Sequence, residues 1–181
     1  MSAAGGFPPP AGPNFDDTRK EPLKGRPPLV SDSPNPTSAE NFARVVRTML
    51  PRPVGKEKGR KTHGRWRDEA DGKLREAITS GRGDGLHEEA LGMLDALGFP
   101  RQAAAMAEHV EIKLIALMRR LRTSDATLVI NNRPCGWDNP DWLYACDNLI
   151  PRVLYPGQRM TVEGVDEYGQ RISRTYEGAR T

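Results

Sequence analysis

The chain of 181 residues carries a formal net charge of +3, 36% hydrophobic side chains, 16 Pro and two Cys. That length holds one compact domain with a tail, or two very small ones, and excludes a large multidomain enzyme. Two cysteines cannot build a disulfide framework, and no apolar run approaches the roughly 18 residues of a membrane span, so a soluble chain with no membrane partner is expected.

The first 60 residues hold ten Lys/Arg against six Asp/Glu, a net of +4, together with 11 of the 16 Pro. Residues 61–181 therefore carry −1, from 17 basic and 18 acidic groups. The opening MSAAGGFPPPAGPNF lacks a basic stretch followed by an apolar one, so no standard secretory signal is expected. A cytoplasmic location, or export by another route, follows from that. Residues 1–36 are rich in Pro, Gly, Ser and charge and lack apolar periodicity, which predicts a disordered tail. Over residues 37–60 a short helix and a basic linker are expected. Thr37 or Ser38 is a candidate N-cap, Phe42, Val45, Val46 and Leu50 recur at helical spacing, and Pro51 and Pro53 stop the run.

The third segment, residues 61–181, reads as the folded domain. THGRWRDE and KLREAITSG flank the turn sequence ADG and predict a β-hairpin. A helix is expected where Leu86, Ala90, Leu91, Leu94 and Leu97 recur, up to Gly98-Phe99-Pro100, and another over about 109–121, with Val110, Leu114, Leu117 and Leu121 as its apolar stripe. ATLVI at 126–130 reads as a buried strand. CDNLIPRVL predicts a short helix interrupted by Pro151, and MTVEGV and RISRTYEG predict a closing hairpin. His63 and His87 are expected at the surface, and Trp66 in packing.

His109, Cys135 and Cys146 are residue types that hold a borderline-soft cation. A hydrolytic Zn²⁺ site needs three protein ligands and an open fourth position, and His/Cys/Cys supplies three. Glu111, two residues after His109, is a carboxylate of the kind that shuttles protons without ligating. His109-Val110-Glu111 followed by Pro134-Cys135 matches the H-x-E and P-C elements of the zinc nucleobase-deaminase signature. In one continuous helix, however, residues two apart point about 200° from each other. A shared site therefore requires the helix to begin near His109, with AAAMAE extended or looped before it.

Taken together, KTHGRW at 61–66, HVEIKLIALMR at 109–119, LVINNRPCG at 128–136, CDNLIPRVLYPGQRMTVEG at 146–164 and TYEG at 175–178 resemble the bacterial deaminase toxins of polymorphic toxin systems. The resemblance is to the DddA-like DNA cytosine deaminases and their actinobacterial relatives, and it covers about residues 61–178. It implies an α/β fold, a three-layer αβα cytidine deaminase-like arrangement around a central mixed sheet. It also implies one Zn²⁺ held by His109, Cys135 and Cys146, Glu111 as proton shuttle, and a toxin neutralised by an immunity protein. The sequence departs from the family pattern where the usual two-residue gap between the cysteines becomes ten, Gly136 to Ala145.

The expected activity is hydrolytic deamination of cytosine in DNA by a monomer, with single strands favoured because a small domain of net charge −1 has little surface for prying a duplex open. Candidate substrate contacts are Asn132, Arg133, Pro134 and Trp137, with Trp142 and Tyr144 available to stack on a base or to pack over the metal. Asn131 and Asn132 could orient a sugar or base edge, or satisfy backbone groups at the strand end. Arg119, Arg120 and Arg122 could track phosphates or sit at a solvated helix end. Two other readings remain open: a deaminase of free nucleosides or RNA, and a non-catalytic zinc-stapled binding module. The cysteines could also form a disulfide or pack as apolar residues.

Overall fold

The structure is a computed structural model that describes residues 38–53, 61–139, 141–166 and 168–179. The tail expected over 1–36 and linker residues 54–60 lie outside the described residues. In chain order the elements are α1 (Ser38–Arg47), β1 (His63–Asp68), β2 (Ile78–Thr79), α2 (Gly85–Ala96), a 3₁₀-helix (Arg101–Glu108), α3 (Val110–Leu121), β3 (Asp125–Ile130), α4 (Cys146–Val153), β4 (Arg159–Val165) and β5 (Arg171–Glu177).

The five strands form one sheet in the order β2-β1-β3-β4-β5. Only β3 and β4 run parallel; the other neighbours are antiparallel, so the sheet is mixed. The central strand β3 explains why ATLVI is continuously apolar: all five of those residues are buried, and the strand is covered on both faces. Ala126, Leu128 and Ile130 enter the main core, which includes Leu114, Met118, Leu149 and Ile150 from α3 and α4. Val129, on the opposite face by the two-residue repeat of a strand, packs against Ala43 and Val46 of α1. The result is a three-layer αβα arrangement, as the family resemblance implies. Fully burying side chains such as Leu128 and Ile130 contributes about 1.5–3 kcal/mol each.

Five local expectations are corrected. The first hairpin pairs His63 with Thr79 and Gly64 with Ile78, but its second arm is a strand for two residues only, with an isolated bridge between Arg67 and Leu74. Asp71, Gly72 and Lys73 take up a turn whose amides bond Asp68 and Asp71, and the charged residues after it leave no alternating apolar face to extend β2. The segment before His109 is a 3₁₀-helix, neither extended nor an irregular loop. Pro151 does not interrupt α4, which runs through it to Val153 and is only eight residues long. His87 is buried, 8% exposed, because its place in the first turn of α2 turns it toward the core. Within α3, Val110 and Leu114 are buried as expected, whereas Leu121 is exposed at the helix end. Trp66 is buried in the main core, which is the packing role expected of it.

Candidate metal centre

The centre forms where three chain segments meet behind the sheet. His109 sits at the junction of the 3₁₀-helix and α3, with extended backbone angles, φ −83° and ψ 140°. The helix on which Glu111 lies therefore starts at Val110, and the sharing problem posed by a continuous helix does not arise. Cys135 follows the chain leaving β3, and Cys146 is the first residue of α4.

One potential ligand atom from each of His109, Cys135 and Cys146 lies within 4.8 Å of the other two. His109 Nδ1 is 3.5 Å from Cys135 Sγ and 3.2 Å from Cys146 Sγ. Donors held at tetrahedral Zn–S and Zn–N bond lengths stand about 3.5–3.8 Å apart, so the set and its spacing fit that metal with small adjustments. Both cysteines are free thiols, so the disulfide reading is not realised. The backbone N–H of Cys146 donates to Cys135 Sγ at 3.1 Å, which favours a thiolate there.

The ten-residue gap between the cysteines closes by a succession of turns. The N–H groups of Asn139, Trp142 and Ala145 donate in order to the carbonyls of Gly136, Asn139 and Trp142. Gly136 begins this run at φ +84°, and a Cβ there would stand 2.3 Å from Ala145 Cβ. The two ends of the loop thus meet at a point where only glycine fits. Asp147 N–H then donates to the Cys135 carbonyl at 3.1 Å, tying the start of α4 to the first cysteine. The Asp147 carboxylate is itself held by Tyr176 Oη at 2.6 Å and by Arg174.

Electrostatics at the centre follow from burial and mutual contact. Glu111 is 3% exposed, and burial pushes its carboxyl up to about 6 against the attraction of His109 and a hydrogen bond shared with the Cys146 thiol. Cys135 is lowered, chiefly by its hydrogen bond with Cys146 and then by His109, against the effect of burial. Cys146 is raised, first by burial and then by Cys135. Desolvation lowers His109, but its bond to Cys135 and the charge of Glu111 outweigh that and leave it raised. Of the two thiols, Cys135 ionises first.

A cavity of about 250 Å³ reaches the centre through Cys135 and Met106, with Trp142, Leu143 and Tyr144 on its wall. Trp142 is 61% exposed there, so the packing role weighed for it is not realised. A larger cavity, about 460 Å³ between α2 and the 3₁₀-helix, contains none of the four centre residues.

The remaining sequence candidates divide. Pro134 is buried and shapes the approach to Cys135, its carbonyl receiving the Trp137 N–H. Trp137 lies under the Arg174 guanidinium, 4.0 Å from ring centroid to carbon, so that face is covered. Arg133 pairs with Asp138. Asn132 donates to Thr62 Oγ1 at 3.3 Å. Asn131 resolves to the structural alternative: it accepts from His63 N–H at 2.7 Å and donates to the Arg52 carbonyl at 3.2 Å. Arg119 donates to the Val153 carbonyl and covers the Tyr155 ring, and Arg120 pairs with Glu89. Sequence reasoning passed over Asp147, Arg174 and Tyr176, whose only sequence signal is that Asp147 follows Cys146, Tyr176 lies in the closing TYEG segment and Arg174 immediately precedes it.

A three-layer α/β fold presenting a His/Cys/Cys group that could hold a metal beside a buried carboxylate defines a deaminase-type protein. The chain matches the model of the SCP1.201-like deaminases over residues 31–180 and belongs to that family, a cytidine deaminase-like group associated with toxin deaminases. No curated protein matches it.

Proposed function

We propose that the protein is a zinc-dependent deaminase converting cytosine to uracil in DNA, with single strands preferred, and that it acts as a toxin countered by an immunity protein. The observation that carries the chemistry is the convergence of His109, Cys135 and Cys146, with Glu111 buried two residues beyond His109 in the first turn of α3. Zinc held by those three residues would supply an activated water near neutral pH. The reaction adds water at the amine-bearing ring carbon and releases ammonia. Glu111 moves one proton from the water to the ring nitrogen and then the proton of the added hydroxyl to the leaving amine, so that both water protons are accounted for, a role a buried, non-ligating carboxylate is suited to. The three-residue ligand set leaves one position of a tetrahedral metal open. The cavity beside Cys135 admits the base, and exposed Trp142 offers a face for stacking.

Metal analysis of freshly purified protein and a substrate panel test this reading. Single-stranded DNA, duplex DNA, RNA and free cytidine are incubated with wild type and with Glu111→Gln, and uracil is measured. Wild type is expected to contain one zinc per chain and to act fastest on single-stranded DNA. Glu111→Gln is expected to keep the metal and lose roughly 10²–10⁴-fold in rate. Product from RNA or cytidine alone would reject the DNA substrate. Bound zinc without product from any substrate would point to a stapled binding module.

A further inference from the structure

Lysine is almost never fully buried unless paired. Lys113, two residues beyond Glu111 on α3, has no exposed surface. Its Nζ donates to the carbonyls of Thr79 at 2.8 Å and Gly81 at 2.6 Å, and to Asp84 Oδ1 and Oδ2 at 2.9 and 2.8 Å. All of these acceptors belong to one short stretch, residues 79–84, between β2 and α2. Lys113 therefore fastens that loop to the helix that begins at the metal centre.

The loop in turn acts on the residue before His109. Gly81 N–H donates to the Glu108 carbonyl at 2.8 Å, and Arg82 Nε holds the Glu108 carboxylate at 2.7 Å. In an unbroken α-helix the Glu108 carbonyl would receive the N–H of Ile112, four residues on. Gly81 takes that acceptor instead. The high helix propensity of QAAAMAEHVEIKLIALMRRL would favour continuing the helix through His109. The loop opposes this, and His109 remains extended at the helix start. Its carbonyl then accepts from Lys113 N–H at 3.0 Å, opening the regular hydrogen bonding of α3.

We propose that Lys113 is a positioning residue for the metal centre: by holding the 79–84 loop on Glu108 it maintains the helix break that aims His109 at the two cysteines. The proposal rests on the zinc reading above. Lys113 touches neither metal nor substrate; it acts through Gly81, Glu108 and His109.

The test measures zinc affinity by competition with a chromogenic chelator, together with hydrogen exchange at the Gly81 amide, in full-length wild type, Lys113→Met, Asp84→Asn and Val46→Ala. Val46 lies in the α1–β3 packing, remote from the loop, and its variant controls for general loss of stability. Lys113→Met is expected to bind zinc 10–100-fold more weakly, the range for residues that orient ligands from outside the coordination shell, and to lose protection at Gly81. Asp84→Asn is expected to weaken binding several-fold, and Val46→Ala to leave affinity unchanged while melting earlier. Folded Lys113→Met with wild-type affinity overturns the proposal. Should that variant fail to fold, wild-type affinity in Asp84→Asn overturns it equally. Wild-type protein that binds no zinc defeats the underlying centre, a result distinct from loss of the Lys113 effect.

Discussion

Asn131 and Lys113 are polar residues whose roles turn on where their partners lie. Asn131 is 3% exposed and uses both ends of its amide on backbone groups, the His63 N–H and the Arg52 carbonyl. It thereby joins the end of β3 to the start of β1 and to the segment following α1. Alanine at this position would leave a buried N–H without an acceptor, which costs about 1–3 kcal/mol. Asn131→Ala is therefore expected to lower the unfolding free energy by that amount, read from urea titration as an earlier midpoint at unchanged slope. Its uracil-forming rate per folded molecule should stay near wild type; a large rate loss in stable protein would return Asn131 to the substrate-binding set. Lys113 could not be recognised in the same way from sequence. A lysine in a helix reads as solvated, and the carbonyls that hold it come from residues about 30 positions earlier.

At the scale of elements, the parts governed by local pattern were legible and the parts governed by competition between segments were not. β3 is a continuous apolar run, α2 ends at a Gly-Phe-Pro stop, and β4 and β5 alternate around a polar turn; each carries its signal within its own residues. The 3₁₀-helix does not, because its composition favours an α-helix and the reason it ends at Glu108 is the Gly81 N–H contributed by another loop. The four centre residues were legible by type and motif, while the way a ten-residue gap brings Cys146 back to Cys135 depended on the turn run from Gly136 to Ala145. That closure makes a separable prediction. Gly136→Ala combines strain at φ +84° with a 2.3 Å clash against Ala145, so the loop ends must part and zinc affinity should fall at least tenfold. Gly72→Ala is the control: φ is +65° there, but the added Cβ meets nothing within 4 Å. It is expected to cost about 1 kcal/mol of stability and leave the affinity alone. Equal zinc affinity in the two variants would show that Gly136 does not close the centre.

For the whole molecule, charge distribution bears on how a nucleic acid would be held. Several arginines of the folded domain are already engaged: Arg133 by Asp138, Arg174 by Asp147, Arg120 by Glu89 and Arg159 by Asp125. With −1 over residues 61–181, that stretch supplies little net attraction for a phosphate backbone. The cations nearest in sequence without that acidic balance are Arg52, Lys56, Lys58, Arg60 and Lys61, five basic residues with Glu57 as the one acid among them. Each phosphate neutralised on a single strand contributes about −0.7 to the slope of log affinity against log salt. If all five make such contacts, replacing them with Ser should reduce the slope by up to about 3.5. Fluorescence anisotropy with a labelled single-stranded oligonucleotide at several salt concentrations reads this directly. Zinc content and the rate on saturating substrate should be unaffected, because none of the five residues belongs to the centre. An unchanged slope would exclude these five as phosphate contacts and leave Arg133 and Arg174, at the edge of the loop joining the two cysteines, as the candidates.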